Sequence, residues 1–282
     1  MSDMPKKAKT TKKTAKTSKV RVNYGPQTFT KVLSVLDCFS MMRSELSLRE
    51  LASLTKISAS TLYRYLVALE DEGYLVKSEQ TGKYHGGAKL IELSGIALSR
   101  MDFVRHGQLE LDKVAAQLRM NASMGVLLGS ELLHVAFAMQ ENSSNAFHNI
   151  IGRKSPATCT AMGKVLLAAM DKGEVSTMFA QSGFTSMTSN SITTLERLLA
   201  ELKDIREKGY AVDDRENSET SRCLAFPILD KHGNVVAAMS VSGFAERFEQ
   251  EKNSIRLALM GHAERLSSTL GYIGKYPTVI AE

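Results

Sequence analysis

The sequence lacks the long apolar runs and leader patterns that direct a chain into or across a membrane. No stretch of the 282 residues approaches the ~18–20 consecutive apolar residues that a membrane-spanning helix needs. The basic N-terminus is followed by no apolar core, which argues against a secretory signal. We therefore expect a cytoplasmic protein with no membrane partner.

Patterns that bind metals or activate substrates are also scarce. The three cysteines, Cys38, Cys159 and Cys223, stand alone, with no CxxC pair and no His/Cys cluster of zinc-ligand spacing. Neither a glycine-rich phosphate loop nor a paired-carboxylate motif is present. These absences predict a protein of a reducing compartment with no metal site and no cofactor.

Positive charge is concentrated at the N-terminus, although the whole chain carries a formal net charge of only +6. Residues 1–22 hold eight Lys and Arg side chains against Asp3 alone, which leaves the rest of the chain near neutrality. Because this segment has almost nothing apolar to bury, residues 1–24 are predicted to be a disordered basic tail. The tail is either a solvated arm or a sequence-independent tether to DNA phosphates.

The stretch 46–84 has the pattern of a helix-turn-helix. Ser47, followed three residues later by Glu50, predicts a capping box that opens a short helix. A support helix is predicted before it, from the apolar spacing of residues 32–42. The buried stripe of the capped helix is predicted to be Leu48, Leu51 and Leu54.

The second helix of this motif is predicted from Ser58, a favourable N-cap, to about Glu72, before Gly73. Its buried stripe is Leu62, Leu66 and Leu69. The other side of its first two turns carries hydroxyls and a guanidinium, which can donate to phosphates and base edges in a major groove. The candidate DNA contacts on this helix are Ser58, Ser60, Thr61, Tyr63 and Arg64.

Residues 74–77 and 83–85 are predicted to form two short strands, a hairpin wing with Lys83 beside its turn as a further candidate DNA contact. The alternative is a small helical bundle whose polar face is merely solvated, and the added hairpin favours DNA binding over it. Residues 29–85 hold seven basic and seven acidic side chains. Any DNA specificity would therefore depend on the placement of charges and not on bulk charge.

Past the wing, a linker helix is predicted, and it packs either on its twin in a dimer or on its own wing. Mixed helices and strands follow from about residue 103. A capping box of Thr193 with Glu196 is expected to open a helix that stops at Gly209, and a final helix is expected over residues 251–270. The apolar stripe of the linker helix is Leu90, Leu93, Ala97, Leu98 and Met101.

The chain is thus predicted to be α+β with two domains, since helices would surround a central antiparallel sheet in its second part. The predicted boundaries are a winged helix-turn-helix domain at 25–86, a linker helix at 87–102 and an effector-binding and oligomerisation domain at 103–282.

Three elements of the second domain are expected to converge on one pocket. The loop 155–163 leads into a helix N-terminus, where free amides and the helix dipole favour an anion. Asp213 ends a short strand, and Cys223, Ser240 and Ser242 lie on a predicted hairpin. Together these groups would suit a small carboxylate in a partly apolar cavity, although each position alone is as typical of packing as of binding.

An enzymatic alternative requires a nucleophile and a base. Cys159 precedes a helix N-terminus, which can lower a thiol pKa, and His148 or His232 could serve as the base. No motif links these residues. We therefore predict that the protein is not an enzyme.

These segments, taken in order, resemble the IclR family of bacterial transcriptional regulators across nearly the whole chain after Thr28. The similarity includes Ser60-Thr-Leu-Tyr-Arg64, the wing residues 81–84, the segment 156–167 and the strand 237–243. It implies a homodimer or homotetramer on a palindromic operator, with a GAF/PAS-like domain sensing a small organic acid. The effector-binding residues that it implies are Thr160, Ala161, Met162, Asp213, Cys223, Ser240 and Ser242.

The chain departs from the common family pattern in both predicted sites. Ala59 stands where many members have a basic residue and Tyr63 where many have histidine, so a different base preference is expected. Ala161-Met162 stands where some members have Gly-Ala, and this bulkier lining argues against a two-carbon ligand. The segment 159–163 is similar to that of members controlling aromatic-acid catabolism, so the resemblance favours an aromatic carboxylate and a catabolic operon. The alternative is a sequence-independent nucleic-acid binder that depends on the basic tail.

Overall fold

A computed structural model of the chain describes residues 27–139 and 151–277, which form two groups of elements joined by one helix. The predicted basic tail lies outside the described residues. The N-terminal elements and the joining helix are α1 Gln27–Leu36, β1 Glu45–Leu46, α2 Leu48–Thr55, α3 Ala59–Asp71, β2 Leu75–Lys77, β3 Tyr84–Gly86 and α4 Ala88–Ser99.

Helix α2 begins with the predicted capping box. The Ser47 amide donates to Glu50 Oε2 at 2.8 Å, and the Glu50 amide donates to Ser47 Oγ at 3.3 Å. Leu51 is fully buried, but Leu54 is 45% exposed, so its prediction as a core residue is wrong. Leu54 lies in the last turn of α2, which ends at Thr55.

Helix α3 packs through its predicted stripe, because Leu62, Leu66 and Leu69 are all buried. Gly73 has a φ of 74°, the left-handed conformation predicted for the helix stop. The wing contains the two predicted strands and a third that the sequence did not indicate, β1, which pairs antiparallel with β3. A two-residue strand is too short to show a periodic pattern.

Helix α4 is anchored at its ends and exposed in its middle. The Lys89 amide donates to the Gly73 carbonyl at 3.1 Å, and Leu98 and Met101 pack against the C-terminal core. No α4 residue is buried, so the rest of its predicted stripe faces outward. The exposed apolar side chains of α4 are Leu90, Ile91, Leu93 and Ile96.

The C-terminal part is built on one sheet of six antiparallel strands in the order β6-β5-β4-β9-β8-β7. Helices α5 and α9 cover one face of the sheet and share an apolar core with it. Helix α6, backed by α7 and α8, covers the other face. The elements are α5 Asp102–Leu118, β4 Asn121–Leu128, β5 Glu131–Ala138, β6 Lys154–Pro156, α6 Ala161–Ala168, α7 Lys172–Ser182, α8 Leu195–Lys208, β7 Ala211–Asp214, β8 Ser221–Leu229, β9 Val235–Phe244 and α9 Ala245–Thr269.

Two helix starts differ from the sequence prediction. Helix α8 is capped by Thr194, whose side chain accepts from the Arg197 amide, and not by Thr193. Helix α9 begins at Ala245, directly after β9, and Ala245 and Phe248 of its first turn are buried. The left-handed stop at Gly209, with φ 74°, is as predicted.

Candidate functional site

The first two turns of α3 present an exposed polar surface. Ser58, Ser60, Tyr63 and Arg64 are exposed, and Thr61 is half-buried. Ser58 is the N-cap residue, but its hydroxyl bonds no backbone amide and donates instead to Thr61 Oγ1 at 3.0 Å. The buried leucines hold the opposite side of the helix, so this surface is free to meet a partner.

Lys83 occupies the wing beside α2 and is half-buried. Its charge acts on Glu50, whose pKa is lowered first by the hydrogen bonds from Ser47 and then by Lys83. The ammonium group therefore lies near the start of α2. That position is consistent with a contact to the backbone of a duplex held against α3.

Strand register brings the predicted sheet residues into line on the face covered by α6. Asp213 pairs with Cys223, Cys223 with Ser242, and Ser242 with Asn121 across four neighbouring strands. In the next row Ser240 pairs with Ser123, and their hydroxyls are 3.1 Å apart. Neither Asn121 nor Ser123 was predicted, because antiparallel register cannot be read from one strand alone.

The polar side chains of these two rows are called the floor of the site. The N-terminus of α6 lies over this floor. Thr160 caps the helix by accepting from the Gly163 amide at 3.0 Å, and Met162 Sδ accepts from Ser123 Oγ at 3.9 Å. A Cβ at Gly163 would lie 2.3 Å from the Ala157 carbonyl oxygen, so only glycine fits the tight entry to the helix. Thr160, Ala161 and Met162 are all buried, and α6 packs on strands β4 and β9, which carry Ser123 and Ser240.

A buried group of charges adjoins the floor, and the sequence did not indicate it. Lys164 on α6 is fully buried and donates to Glu216 Oε1 at 2.8 Å and to Glu201 Oε1 at 2.9 Å. Asp213 is also fully buried and accepts the Glu216 amide at 2.7 Å. In the sequence alone, Lys164 is typical of a lysine on a solvated helix face. Only the structure shows that its side chain is fully buried.

The pKa values of this group are shifted mainly by burial. Burial raises the pKa of Asp213 to about 6 against two backbone hydrogen bonds, and raises that of Glu216 to about 7 against the attraction of Lys164. The pKa of the Cys223 thiol is raised by burial and by the neighbouring Asp213 carboxyl. Burial therefore favours the protonated forms of both carboxyl groups.

Family models match both parts of the chain. The helix-turn-helix domain of the IclR family matches residues 28–79, and the C-terminal domain of the bacterial transcriptional regulator IclR matches residues 95–268. The chain belongs to the IclR family. As a member, it is a DNA-binding transcriptional regulator, and its two-domain α+β fold is that of the family.

Individual relatives agree with this assignment over most of their length. The chain is 31% identical to the HTH-type transcriptional regulator KdgR of Escherichia coli over 86% of this chain and 94% of KdgR. It is 30% identical to the crystal structure of Thermotoga maritima IclR, with a TM-score of 0.65 and coverage of 87% and 99%. An IclR homologue of Microbacterium hydrocarbonoxydans, complexed with 4-hydroxybenzoate, shares the fold at 18% identity, a TM-score of 0.74 and coverage of 86% and 98%.

The residues of the thiol-enzyme alternative do not form a site in the described part of this IclR-family chain. Cys159 is fully buried, and its thiol donates to the Thr185 carbonyl at 3.4 Å. His232 lies in the exposed turn between β8 and β9, and His148 is outside the described residues. The matched relatives are transcriptional regulators.

Residues 27–139 and 151–277 contain neither a metal-binding cluster nor a membrane-spanning helix. In these ranges no group of three or more His, Cys, Asp or Glu side chains could hold a metal ion. None of the helices there is both long and apolar enough to cross a membrane.

Proposed function

We propose that this regulator reads operator DNA with α3 and responds to a small organic acid bound between α6 and the sheet. The observation that carries the proposal is the two-sided helix α3, with leucines buried on one side and hydroxyl and guanidinium groups exposed on the other. We assign residues 25–86 to DNA binding, 87–102 to the linker and 103–282 to effector binding and oligomerisation, with 1–24 as a basic tail.

The proposed DNA contacts divide by chemistry. Arg64 can donate two hydrogen bonds to a guanine edge, and Tyr63, 52% exposed, can contact a base edge or a phosphate. The hydroxyls at the helix start suit phosphate contacts, which set the position of the helix in the groove. The complete set is Ser58, Ser60, Thr61, Tyr63, Arg64 and Lys83.

The proposed effector site uses the N-terminus of α6 for the carboxylate. First-turn amides of a helix lack intrahelical acceptors, and Thr160 satisfies that of Gly163, so those of Ala161 and Met162 suit an anion. The sheet supplies Asp213, Cys223, Ser240 and Ser242 as the floor. The complex of the Microbacterium hydrocarbonoxydans homologue with 4-hydroxybenzoate supports an aromatic acid, and a catabolic operon is the fitting target.

We propose that the protein works as a homodimer or a pair of dimers. The exposed apolar side of α4 supports this, because Ile91 is 75% exposed between two anchored helix ends. Burying that side against a second copy would set the spacing of two α3 helices on a palindrome. The acid then acts by binding one arrangement of the domains better than another.

Capture of genomic fragments by purified protein tests the DNA assignment. Wild type is expected to retain one or a few palindromic sites, and Arg64→Ala to lose them, since a bidentate base contact is worth roughly 1–3 kcal/mol. Arg105→Ala is the matched control, because Arg105 is an exposed arginine on α5 paired with Asp102. Equal capture by Arg64→Ala and the control would refute the assignment of α3.

Deletion of residues 1–22 separates this proposal from the tail-dependent binder. We expect the shortened chain to keep its selective sites with a shallower salt dependence, because it loses phosphate contacts alone. Loss of all binding with the tail would favour the sequence-independent alternative. The acids on which the enzymes of the captured operon act can be added to the same assay. This shows whether any of these acids changes the affinity for DNA.

A further inference from the structure

One residue in the turn between α2 and α3 has a backbone conformation that its side chain disfavours. Lys56 follows α2 with a φ of 58° and a ψ of 21°, in the left-handed region, and its amide donates to the Ala52 carbonyl at 3.0 Å. Glycine is the usual residue at such a helix stop, because a Cβ is unfavourable at positive φ. Ending the helix therefore does not by itself require a lysine.

Three residues other than glycine have a positive φ in the described part of the chain: Lys56, Arg119 and Arg215. The Arg119 carbonyl accepts from Arg247 Nη1 at 2.8 Å, and the Arg215 carbonyl accepts from Thr188 Oγ1 at 2.7 Å. Long-range hydrogen bonds thus hold the backbone at both arginines. At Lys56 the conformation ends α2, a role that glycine fills without strain, so the side chain itself is the feature to explain.

The positive charge of Lys56 has no partner on the protein. The side chain is exposed, and its ammonium group forms no ion pair or hydrogen bond with the residues that the structure describes. Residues 51–69 hold no Asp or Glu, so Lys56 and Arg64 are the charged side chains of this whole stretch. Lys89, by comparison, is also exposed but pairs with Glu92 at 2.9 Å. The Lys56 ammonium is therefore free to meet an anionic partner.

The position of this cation places it beside the helix that we propose to read DNA. Lys56 precedes Ser58, the N-cap of α3, by two positions, so their Cα atoms lie within about 7 Å of each other. The hydroxyls of Ser58, Ser60 and Thr61 cluster at the same end of α3 and are proposed phosphate contacts. A lysine suits a phosphate because its ammonium group is a compact point charge on a flexible stem.

We propose that Lys56 contacts a DNA phosphate and thereby positions α3 on the duplex, and that this lysine makes the fold less stable than glycine would. The inference rests on the proposed reading of DNA by α3 and adds a contact from the preceding turn. A phosphate contact carries no sequence information, so Lys56 strengthens binding to operator and other DNA alike. Replacement by glycine relieves the strain and removes the charge, so stability and DNA affinity should change in opposite directions.

Lys56→Gly in the full chain tests both effects. The midpoint of thermal unfolding should rise by about 2 °C. DNA binding is followed by fluorescence anisotropy over a series of salt concentrations, on a genomic fragment captured by wild type and on a mixed-sequence duplex of the same length. At roughly 0.1 M salt the affinity for both probes should fall roughly fivefold, and the slope of log K against log salt should flatten by about 0.9 per bound chain. Lys56→Arg should keep the wild-type slope, because it keeps the charge.

Arg119→Gly is the matched control, because Arg119 is an exposed cation at the left-handed stop of α5, with a φ of 48°, in the C-terminal domain. It should raise the thermal midpoint and leave the salt slope unchanged.

Three results would overturn the inference: an unchanged slope in Lys56→Gly, an equal change of slope in Arg119→Gly, or a loss of affinity confined to the captured fragment. A lower thermal midpoint in Lys56→Gly would also overturn it, since the lysine would then stabilise the fold. Arg64→Ala, measured in parallel, tests the underlying proposal. If that variant prefers the captured fragment over the mixed duplex as strongly as wild type does, the reading of DNA by α3 itself fails.

Discussion

The two faces of the six-stranded sheet each carry a buried carboxylate cluster, and the clusters are built in opposite ways. On the α5/α9 side, burial alone would raise the pKa of Glu110, but hydrogen bonds from Lys113, His262 and Arg265 lower it to about 2. On the α6 side, Asp213 and Glu216 have pKa values raised by burial to about 6 and 7. One cluster is fully paired, and the other is short of donors.

The two clusters differ in how completely their carboxyl oxygens are paired within the described part of the protein. Glu110 receives three donors from α5 and α9 and therefore stabilises the packing of these helices. Asp213 and Glu216 each leave an oxygen without a donor among the described residues, which costs stability. The α6 side is where we propose that the acid binds, next to these two carboxyl groups.

The largest expected effect is on the α6 side. Lys164→Met should lower the free energy of unfolding by about 3–5 kcal/mol, because it leaves buried carboxylates without a cation. Urea denaturation at pH 8 measures the change. Adding Glu216→Gln to Lys164→Met should recover part of the loss, whereas the exposed α8 control Lys203→Met should be neutral. A neutral Lys164→Met would show that the cluster carries little charge.

Glu110→Gln should have the next largest effect, on the opposite face. Since the folded pKa of about 2 lies below the usual 4.5, Glu110 stabilises the fold above pH 4.5 and loses this contribution as the pH falls toward 2. The variant should therefore lose about 3 kcal/mol at pH 7, and the difference should shrink in acid. Unfolding at pH 7 and pH 3, with the exposed Glu264→Gln as control, measures this.

Asp213→Asn should show the opposite pH dependence. A folded pKa of about 6, above the usual 3.8, means that wild type loses stability as the pH rises from 3.8 through 6. The variant lacks this loss, so its stability relative to wild type should increase by roughly 2 kcal/mol, less than the full shift because Asp213 and Glu216 titrate together. Parallel pH slopes in the two proteins would contradict the raised pKa.

The smallest expected effects separate packing from binding on the floor of the site. Ser240→Ala removes the 3.1 Å bond to Ser123 and should cost about 1 kcal/mol. Ser242→Ala, at a half-buried position, should cost less than ~0.5 kcal/mol. We expect Ser242→Ala nevertheless to weaken acid binding in calorimetry, and equal ligand affinity in wild type and Ser242→Ala would remove Ser242 from the site.

Local patterns in the sequence predicted most of the N-terminal domain correctly. The capping box at Ser47, the leucine stripe of α3 and the stop at Gly73 depend on residues within a few positions of each other. Predictions failed where burial depends on distant segments, as at Leu54, or where an element is too short for a period, as in β1. The proposed roles of the DNA-contacting side chains remain predictions.

By itself, the sequence determined the fold class, the two-domain order, the family and the candidate residues on α6 and β7–β9. Only the tertiary structure decided that Asp213, Cys223, Ser242 and Asn121 share one row, because strand register is set by the whole sheet. It also decided that Lys164 forms an ion pair with Glu216, 52 positions away in the chain. Ion pairs over that distance leave no periodic signal in a single sequence, so the donor-poor cluster became visible only when the chain was folded.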